Sequence, residues 1–290
     1  MIDTEVFAEH RRLLFDVAYR MTGSVADAED LVQEAWLRWS TVDSDRVGNP
    51  RAYLVRTVTN LTLTELTSAR ARRETYAGPW LPEPLLTEPD ASQEAEMAES
   101  VSMAMLVVLE TLSPIERAVF VLHEVFGYSH TEIASIVDRS EVAVRQTATR
   151  ARAHVAARRP RFDTDARARR AAVERFRAAC AGGDLNALME LLAPDVIAWA
   201  DGGGKISAAR RPLVGADHVG RWMLGVLTMP VVAGVQLELA EINGEPGLLA
   251  TSAGQSVGAI SLEVTDGRIA ALRLVVNPDK LTGLNLGRRR

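Results

Sequence analysis

The residues with the clearest chemical potential lie between Gly127 and Ala157. From Gly127 the chain reads Tyr128-Ser129-His130-Thr131-Glu132-Ile133-Ala134-Ser135-Ile136-Val137, breaks at Asp138-Arg139-Ser140, and resumes from Glu141 to Ala157. Ser129 and Glu132 have the spacing of a capping box, and Ser140 is a good N-cap for a second helix. In that helix Val144, Ala148, Ala151 and Val155 recur at i, i+4, i+7 and i+11, which predicts one buried stripe. Gln146 and Thr149 point the other way, and Arg145, Arg150 and Arg152 flank them. These side chains suit base and phosphate recognition: arginine pairs with a guanine edge, glutamine with adenine, and the remaining arginines hold phosphates. Ser140, Arg145, Gln146, Thr149, Arg150 and Arg152 are therefore the candidate DNA contacts of a helix-turn-helix. The same spacing also describes a packing hairpin whose arginines are merely solvated.

Other chemistries find less support. The single cysteine, Cys180, excludes an intramolecular disulfide and a cysteine-based zinc site, and the five histidines show no ligand spacing. No metal or cofactor is expected. The formal net charge of -5 and a pI near 5.7 exclude a protein that coats DNA by bulk charge. The acid is localised: Glu74, Glu83, Glu88, Asp90, Glu94, Glu96 and Glu99 stand in a stretch without a basic residue, whereas 145–170 is rich in arginine. Only two of the 33 basic residues are lysine, Lys205 and Lys280. No apolar run approaches the roughly 20 residues of a membrane span and the first residues are polar, so a cytoplasmic protein is expected.

The elements that must position these residues can be read from periodicity. Leu14, Val17, Ala18 and Met21 form one apolar stripe; after Gly23-Ser24, a second comprises Ala28, Leu31, Val32, Ala35, Trp36 and Trp39. Their spacing places both tryptophans in the core. The far side of the second helix carries Asp27, Asp30 and Glu34, with Glu29 and Gln33 beside them. Asn49-Pro50 opens a third helix, from Arg51 to about Arg73, which buries Leu54, Val58, Leu61 and Leu66 and presents Arg51, Arg56 and Asn60. Gly78-Pro79-Trp80-Leu81-Pro82-Glu83-Pro84 begins an acidic tether. Helical periodicity returns near Val101, runs through Leu106, Leu109 and Leu112, and restarts at Ser113-Pro114-Ile115-Glu116.

Beyond the basic stretch from Arg158 to Arg170 the pattern changes. Residues Ala171 to Leu192 give one or two helices, broken at Gly182-Gly183 and recapped at Asp184. Strand-like runs follow at Val196–Ala200, Ile206–Val214, Val235–Ile242, Leu248–Ala253, Ser256–Val264 and Ile269–Val276, with a helix at Asp217–Leu227. Asn243-Gly244 and Asp266-Gly267 are hairpin signals. This order predicts an α+β domain with an antiparallel sheet curled around a pocket.

Taken in order, these pieces resemble a bacterial sigma factor of the extracytoplasmic-function (ECF) type. Asp27-Ala28-Glu29-Asp30-Leu31-Val32-Gln33-Glu34-Ala35-Trp36 is similar to the family's core-polymerase-binding helix, which implies that Asp27, Glu29, Asp30, Gln33 and Glu34 dock on the clamp of the largest polymerase subunit. Asn49-Pro50-Arg51-Ala52-Tyr53-Leu54, continuing to Asn60-Leu61, resembles the helix that reads and opens the -10 element, with Arg51, Arg56 and Asn60 facing DNA. Thr62-Leu63-Thr64-Glu65 departs from the more basic segment the family often has there. Leu112-Ser113-Pro114 and the helix-turn-helix resemble the reader of the -35 element.

Residues 160–290 resemble a SnoaL-type cone of the nuclear-transport-factor-like fold, which a subgroup of these factors carries. Three marks of that subgroup are Trp80-Leu81-Pro82-Glu83-Pro84, Asp201-Gly202-Gly203-Gly204-Lys205 and Asn277-Pro278-Asp279-Lys280-Leu281, and both lysines fall inside them. The resemblance implies a multidomain chain: two all-α sigma domains at 1–73 and 104–159, the second with the helix-turn-helix, an acidic linker at 74–103, and an α+β cone-shaped SnoaL-like domain at 160–290.

The implied mechanism is promoter recognition in partnership with core RNA polymerase. Opening about ten base pairs costs on the order of 10 kcal/mol, at roughly 1.4 kcal/mol per stacked step, which an acidic chain cannot supply alone. The third helix would then capture a base flipped from the non-template strand. The acidic linker either occupies the basic channel of nascent RNA or is a solvated tether. The cone is expected to regulate, with its two marks and the Trp80 segment meeting in one contact, or else its glycines merely shape a hairpin. It has room for a small-molecule ligand, and a separate anti-sigma protein becomes unnecessary. Two rivals remain: a cone enzyme using Asp201, His218 and Trp199, and a stand-alone dimeric repressor, in which the Asp27 to Glu34 helix has no task.

Overall fold

The computed structural model describes residues 4–43, 47–87, 102–158 and 165–286. Most of the acidic stretch and the tail from Gly287 to Arg290 lie outside the described residues. The chain divides into two units, one of Met1–Thr75 with Leu106–Arg159 and one of Tyr76–Met105 with Pro160–Arg290.

The first unit is helical. Helices α1 (Thr4–Thr22) and α2 (Val25–Trp39) pack through the two expected stripes: Leu14, Val17, Ala18 and Met21 are buried, as are Ala28, Leu31, Val32, Ala35 and Trp39. Each fully buried Leu or Val side chain contributes about 2 kcal/mol. Ser24 ends the turn by accepting the Asp27 N–H at 3.1 Å. Trp39 is buried against Tyr53, whereas Trp36 is half-buried with its ring edge-on to Phe7 at 5.0 Å. Helix α3 (Pro50–Glu74) starts where the Asn49 side chain accepts the Ala52 N–H and buries Leu54, Val55, Val58 and Leu66. Leu61, expected in the core, is half-buried because it lines a groove facing α2.

Helix α4 (Met103–Leu109) stops before Leu112, where the periodicity would carry it, and its end tightens into a turn in which the Thr111 and Leu112 N–H groups donate to the Val108 and Leu109 carbonyls. Ser113 and Glu116 form a capping box that starts α5 (Pro114–Phe120), which runs into a π-helical turn at Val121–Val125. Helices α6 (His130–Val137) and α7 (Glu141–Arg158) complete the unit.

In the second unit α8 (Ala166–Gly182) and α9 (Leu185–Leu191) are separated by Gly183, at φ 64°, and Asp184 caps the second. A six-stranded sheet follows, in the order β2-β1-β6-β5-β4-β3. Its strands are β1 (Leu192–Asp201), β2 (Leu213–Val214), β3 (Gln236–Ile242), β4 (Glu245–Ser252), β5 (Gln255–Thr265) and β6 (Arg268–Val275), with α10 (Ala216–Leu227) between β2 and β3. Phe176, Leu188, Val219 and Met223 from the helices and Val196, Leu248, Ile260 and Leu272 from the sheet share the core. An α+β sheet domain thus follows the helical part, as expected.

Two expectations are corrected. The sheet is not wholly antiparallel: β1 lies parallel to β6, with Trp199 opposite Arg273 and Asp201 opposite Val275. Short turns dictate antiparallel pairing only for β3 to β6, whereas β1 meets β6 by tertiary pairing across most of the domain. Nor is Ile206–Val214 one strand, since only Leu213–Val214 pairs with β1. Upstream, the Lys205 and Ile206 N–H groups both donate to the Gly202 carbonyl and form a turn. Asn243-Gly244 and Asp266-Gly267 make hairpins with φ positive at both residues, and Ala253-Gly254 makes a third that its composition did not signal.

The presumed tether also begins later than its composition suggests. Residues 76–87 lie in the second unit, with Leu81 and Glu83 buried and Leu86 bridging Ile242 of β3. Cys180 is buried, and burial pushes its thiol up to about 12, so it stays a thiol at neutral pH. Among the described residues no helix is long and apolar enough to cross a membrane.

Candidate functional site

The helix-turn-helix is built by two caps and one left-handed residue. The Glu132 carboxylate accepts from the Ser129 N–H at 2.8 Å and its hydroxyl at 2.7 Å, bonds that hold this carboxyl below its usual range. Asp138, at φ 53°, ends α6, and the Ser140 hydroxyl accepts the Ala143 N–H at 3.2 Å to start α7. Val144, Thr147, Ala148, Ala151 and Val155 are buried. That leaves Val142, Arg145, Gln146, Thr149, Arg150 and Arg152 exposed.

The three arginines on this exposed surface are engaged within their own unit. Arg145 pairs with Glu141, Arg152 with Glu124 at 2.7 Å, and Arg150 with Glu116 at 3.7 Å. Gln146 and Arg139 make no side-chain hydrogen bond among the described residues, and Val142 is 66% exposed. Arg139 and Val142 were not singled out by the sequence, although Val142 lies one helical turn before Gln146 and the pattern held that signal.

On α2, Asp27, Asp30 and Glu34 line a groove completed by Leu61, Thr64 and Glu65 of α3. Glu34 also accepts from Arg38 at 3.1 Å. Glu29 is drawn aside to Arg11 at 2.5 Å, and Gln33 is exposed. The five residues thus divide between an acidic groove and its flank.

Helix α3 presents Arg51 and Arg56 to solvent, and so does Asn60, which also reaches across to α6. Its side-chain amide donates to the Ile136 carbonyl of α6 at 3.1 Å, and the Arg51 guanidinium sits 5.8 Å from the Tyr128 ring centre. Two buried guanidinium groups reinforce this packing. Arg117 of α5 donates to the Met21 carbonyl and to Glu110, each at 2.6 Å, while Arg20 of α1 lies 5.0 Å from the Phe126 ring centre. Desolvation pushes Arg117 down to about 10 and lowers Arg20 as well. No periodicity marks either residue, because their role depends on what α1 and α5 meet in space.

In the second unit the three sequence marks converge on Asp201, which is 0% exposed. Its carboxylate accepts from the Tyr76 hydroxyl at 2.5 Å, the Leu81 N–H at 2.9 Å, the Gly203 N–H at 3.1 Å and the Lys280 ammonium at 2.8 Å. Its main-chain carbonyl takes the N–H groups of Val276 and Asn277. Lys280 also donates to the Leu81 carbonyl and stands 4.1 Å from the Trp80 ring centre, a cation–π contact. Lys205 pairs with Asp279 at the rim, at 2.6 Å. Pro82 and Pro84 are buried beside Leu81 and Glu83, and Leu281 is buried below Lys280. Gly203, at φ 59°, is required: a Cβ there would meet the Asn277 side chain at 2.4 Å. Gly202 is equally constrained, by the Ile206 carbonyl at 2.2 Å.

A second clasp was not foreseen. The buried Asn243 accepts the Leu85 N–H at 3.1 Å and donates its own N–H to the Leu85 carbonyl at 2.8 Å. Thr87 donates its N–H to the Glu241 carbonyl. Of the residues proposed for a cone enzyme, Asp201 is consumed by this network, Trp199 lies against Arg273 at 5.2 Å, and His218 is exposed.

The chain matches the Sigma-70 region 2 family over residues 6–72 and the Sigma-70, region 4 family over residues 102–155. It is 42% identical to the ECF RNA polymerase sigma factor SigJ of Mycobacterium tuberculosis (strain ATCC 25618 / H37Rv), across 100% of this chain and 96% of that one. The probable ECF RNA polymerase sigma factor SigI of the same strain is 32% identical, across 95% and 93%. The crystal structure of Mycobacterium tuberculosis SigJ superposes with a TM-score of 0.76 at 40% identity, covering 97% of this chain and 98% of that one.

Proposed function

The chain belongs to the ECF RNA polymerase sigma factors, and from that membership we propose that it directs core RNA polymerase to promoters under the control of its own C-terminal unit. The observation that carries this reading is the exposed face of α7, set on a buried apolar stripe and joined to an acidic groove on α2 in one chain. Asp27, Asp30 and Glu34, with Glu29 and Gln33 on the flank, dock on basic helices of the polymerase clamp by charge complementarity. Ser140, Arg145, Gln146, Thr149, Arg150 and Arg152 face the -35 element, and Arg51, Arg56 and Asn60 the -10 element.

The packing of α3 on α6 gives this function a closed resting form. Promoter elements 25 base pairs apart are separated by about 85 Å of B-DNA at roughly 3.4 Å per pair. A unit of about 130 residues has a radius of gyration near ~14 Å, so it cannot touch both elements at once. Polymerase binding therefore separates α1 to α3 from α5 to α7, releasing Asn60 and Arg51 for DNA. Such opening breaks the bond of Arg117 to the Met21 carbonyl and the contact of Arg20 with Phe126, which hold the resting form.

The second unit acts as regulator, not as enzyme. Asp201, Lys280 and Trp80 hold 76–87, the segment that follows α3, within the second unit. A small molecule would enter the cleft of about 300 Å³ beside Gly78, Gly202, Lys205 and Arg210, next to that anchor. On this reading control resides in the chain, without a separate anti-sigma protein, and acts in the cytoplasm with the polymerase. Run-off transcription with purified core polymerase on promoters selected from a random pool tests it. Specific transcripts are expected with the full chain and not with Asp30→Lys/Glu34→Lys; transcripts undiminished by that reversal would refute the docking assignment, and none with either would refute the function.

A further inference from the structure

Val142 is an exposed aliphatic side chain at the start of α7, 66% exposed on the second residue of the helix. A lone surface valine needs no explanation in general. This one occupies the place from which a recognition helix contacts bases, since its N-terminal residues are the ones that reach base edges in the major groove. Its neighbours sharpen the point. Arg145, Arg150 and Arg152 are paired with Glu141, Glu116 and Glu124 through part of each guanidinium, and their remaining N–H donors and charge face solvent. Near the start of α7 the exposed side chains that make no hydrogen bond or ion pair among the described residues are Val142 and Gln146, with Arg139 at the preceding turn.

We infer that Val142 is a base-reading residue, which packs on the C5 methyl group of a thymine in the -35 element beside an adenine read by Gln146. The inference rests on the promoter-directing function proposed above and adds a specificity residue to it. The major groove offers one apolar feature, the thymine methyl, and an aliphatic side chain is its complement. Glutamine pairs with the N6 and N7 edge of adenine. Residues 142 and 146 are one turn apart, about 6 Å along the axis at 1.5 Å per residue, which is between one and two base pairs at roughly 3.4 Å. The thymine read by Val142 therefore lies within two base pairs of that adenine, on either strand. Arg139 supplies a phosphate contact that sets the register and carries no sequence information.

The test replaces each thymine of the selected -35 element singly by uracil, which removes only the methyl group, and measures initiation by the full chain with core polymerase. One substitution, within two base pairs of the adenine whose replacement Gln146→Ala tolerates, should lower initiation about fourfold, the worth of one buried methyl. Val142→Ala should lose about fourfold on the thymine template and show no further loss on uracil. Val142→Thr, which keeps one methyl, should retain part of the discrimination. Alanine is the better helix former at this exposed position, so unfolding does not mimic the effect, and an unchanged melting temperature verifies it. The inference is overturned if no thymine is methyl-sensitive, or if Val142→Ala keeps the full loss on uracil. Either result leaves the sigma function standing, whereas absence of any specific transcript removes both.

Discussion

The side-chain amide of Asn60 donates to the main-chain carbonyl of Ile136 at 3.1 Å, so a residue expected to face the -10 element is held on the first helix of the helix-turn-helix. That bond uses one N–H of the amide and leaves its second N–H and its oxygen at the surface. On the closed resting form proposed above, the contact favours that packing, and its contribution can be measured.

Asn60→Ala removes one net hydrogen bond from the resting form, worth about 1 kcal/mol. The open fraction of the free chain should rise about fivefold, read by energy transfer between dyes on the exposed positions Gln33 and Ala153. The unfolding midpoint should fall by only a few degrees, as about 1 kcal/mol taken from the populated form requires. An energy-transfer distribution identical to the parent's would show that this bond does not bias the equilibrium.

Arg117→Ala leaves the buried Met21 carbonyl and Glu110 without their cation and should cost about 3 to 5 kcal/mol of stability. Arg117→Met combined with Glu110→Gln should cost much less, because no unpaired charge remains. A urea-denaturation cycle reads the coupling. Additive losses would mean that the two side chains act independently.

Asp201→Asn and Lys280→Met should each destabilise the second unit by about 3 kcal/mol, since each leaves a buried partner charge uncompensated. Trp80→Ala should leave that pair intact yet loosen 76–87, increasing proteolysis after Tyr76 and Leu81. Transcription should change in the same direction for Lys280→Met and Trp80→Ala if the anchor regulates. Parental transcription from both would end that part of the proposal.

Tyr76 gives a pH signature. Burial and its hydrogen bond to Asp201 raise its phenol far above the ordinary value of 10.0. The unfolded chain therefore loses this proton first, so the stability contributed is complete below pH 10 and declines as pH rises above it. Tyr76→Phe should flatten that alkaline decline relative to the parent. Parallel stability curves above pH 10 would show that Tyr76 is not responsible.

Sequence alone determined the elements governed by local rules. Capping boxes at Ser113 and Ser129, the proline opening α3, the left-handed hairpin pairs at Asn243 and Asp266, and the 3.6-residue stripes of α2 and α7 are encoded within a few residues of where they act. So was the grouping of two rare lysines with glycine and proline motifs. What tertiary structure decided involves partners far apart in the chain: Asn60 on Ile136, Arg117 on Met21, Asn243 on Leu85, and the parallel pairing of β1 with β6. The engagement of Arg150 by Glu116 and of Arg152 by Glu124 likewise depended on the folded unit, whereas Arg145 meets Glu141 one turn away on its own helix. Periodicity states which side of a helix is apolar. It cannot state which polar groups on the other side have already been satisfied, because that depends on distances that exist only once the chain has folded.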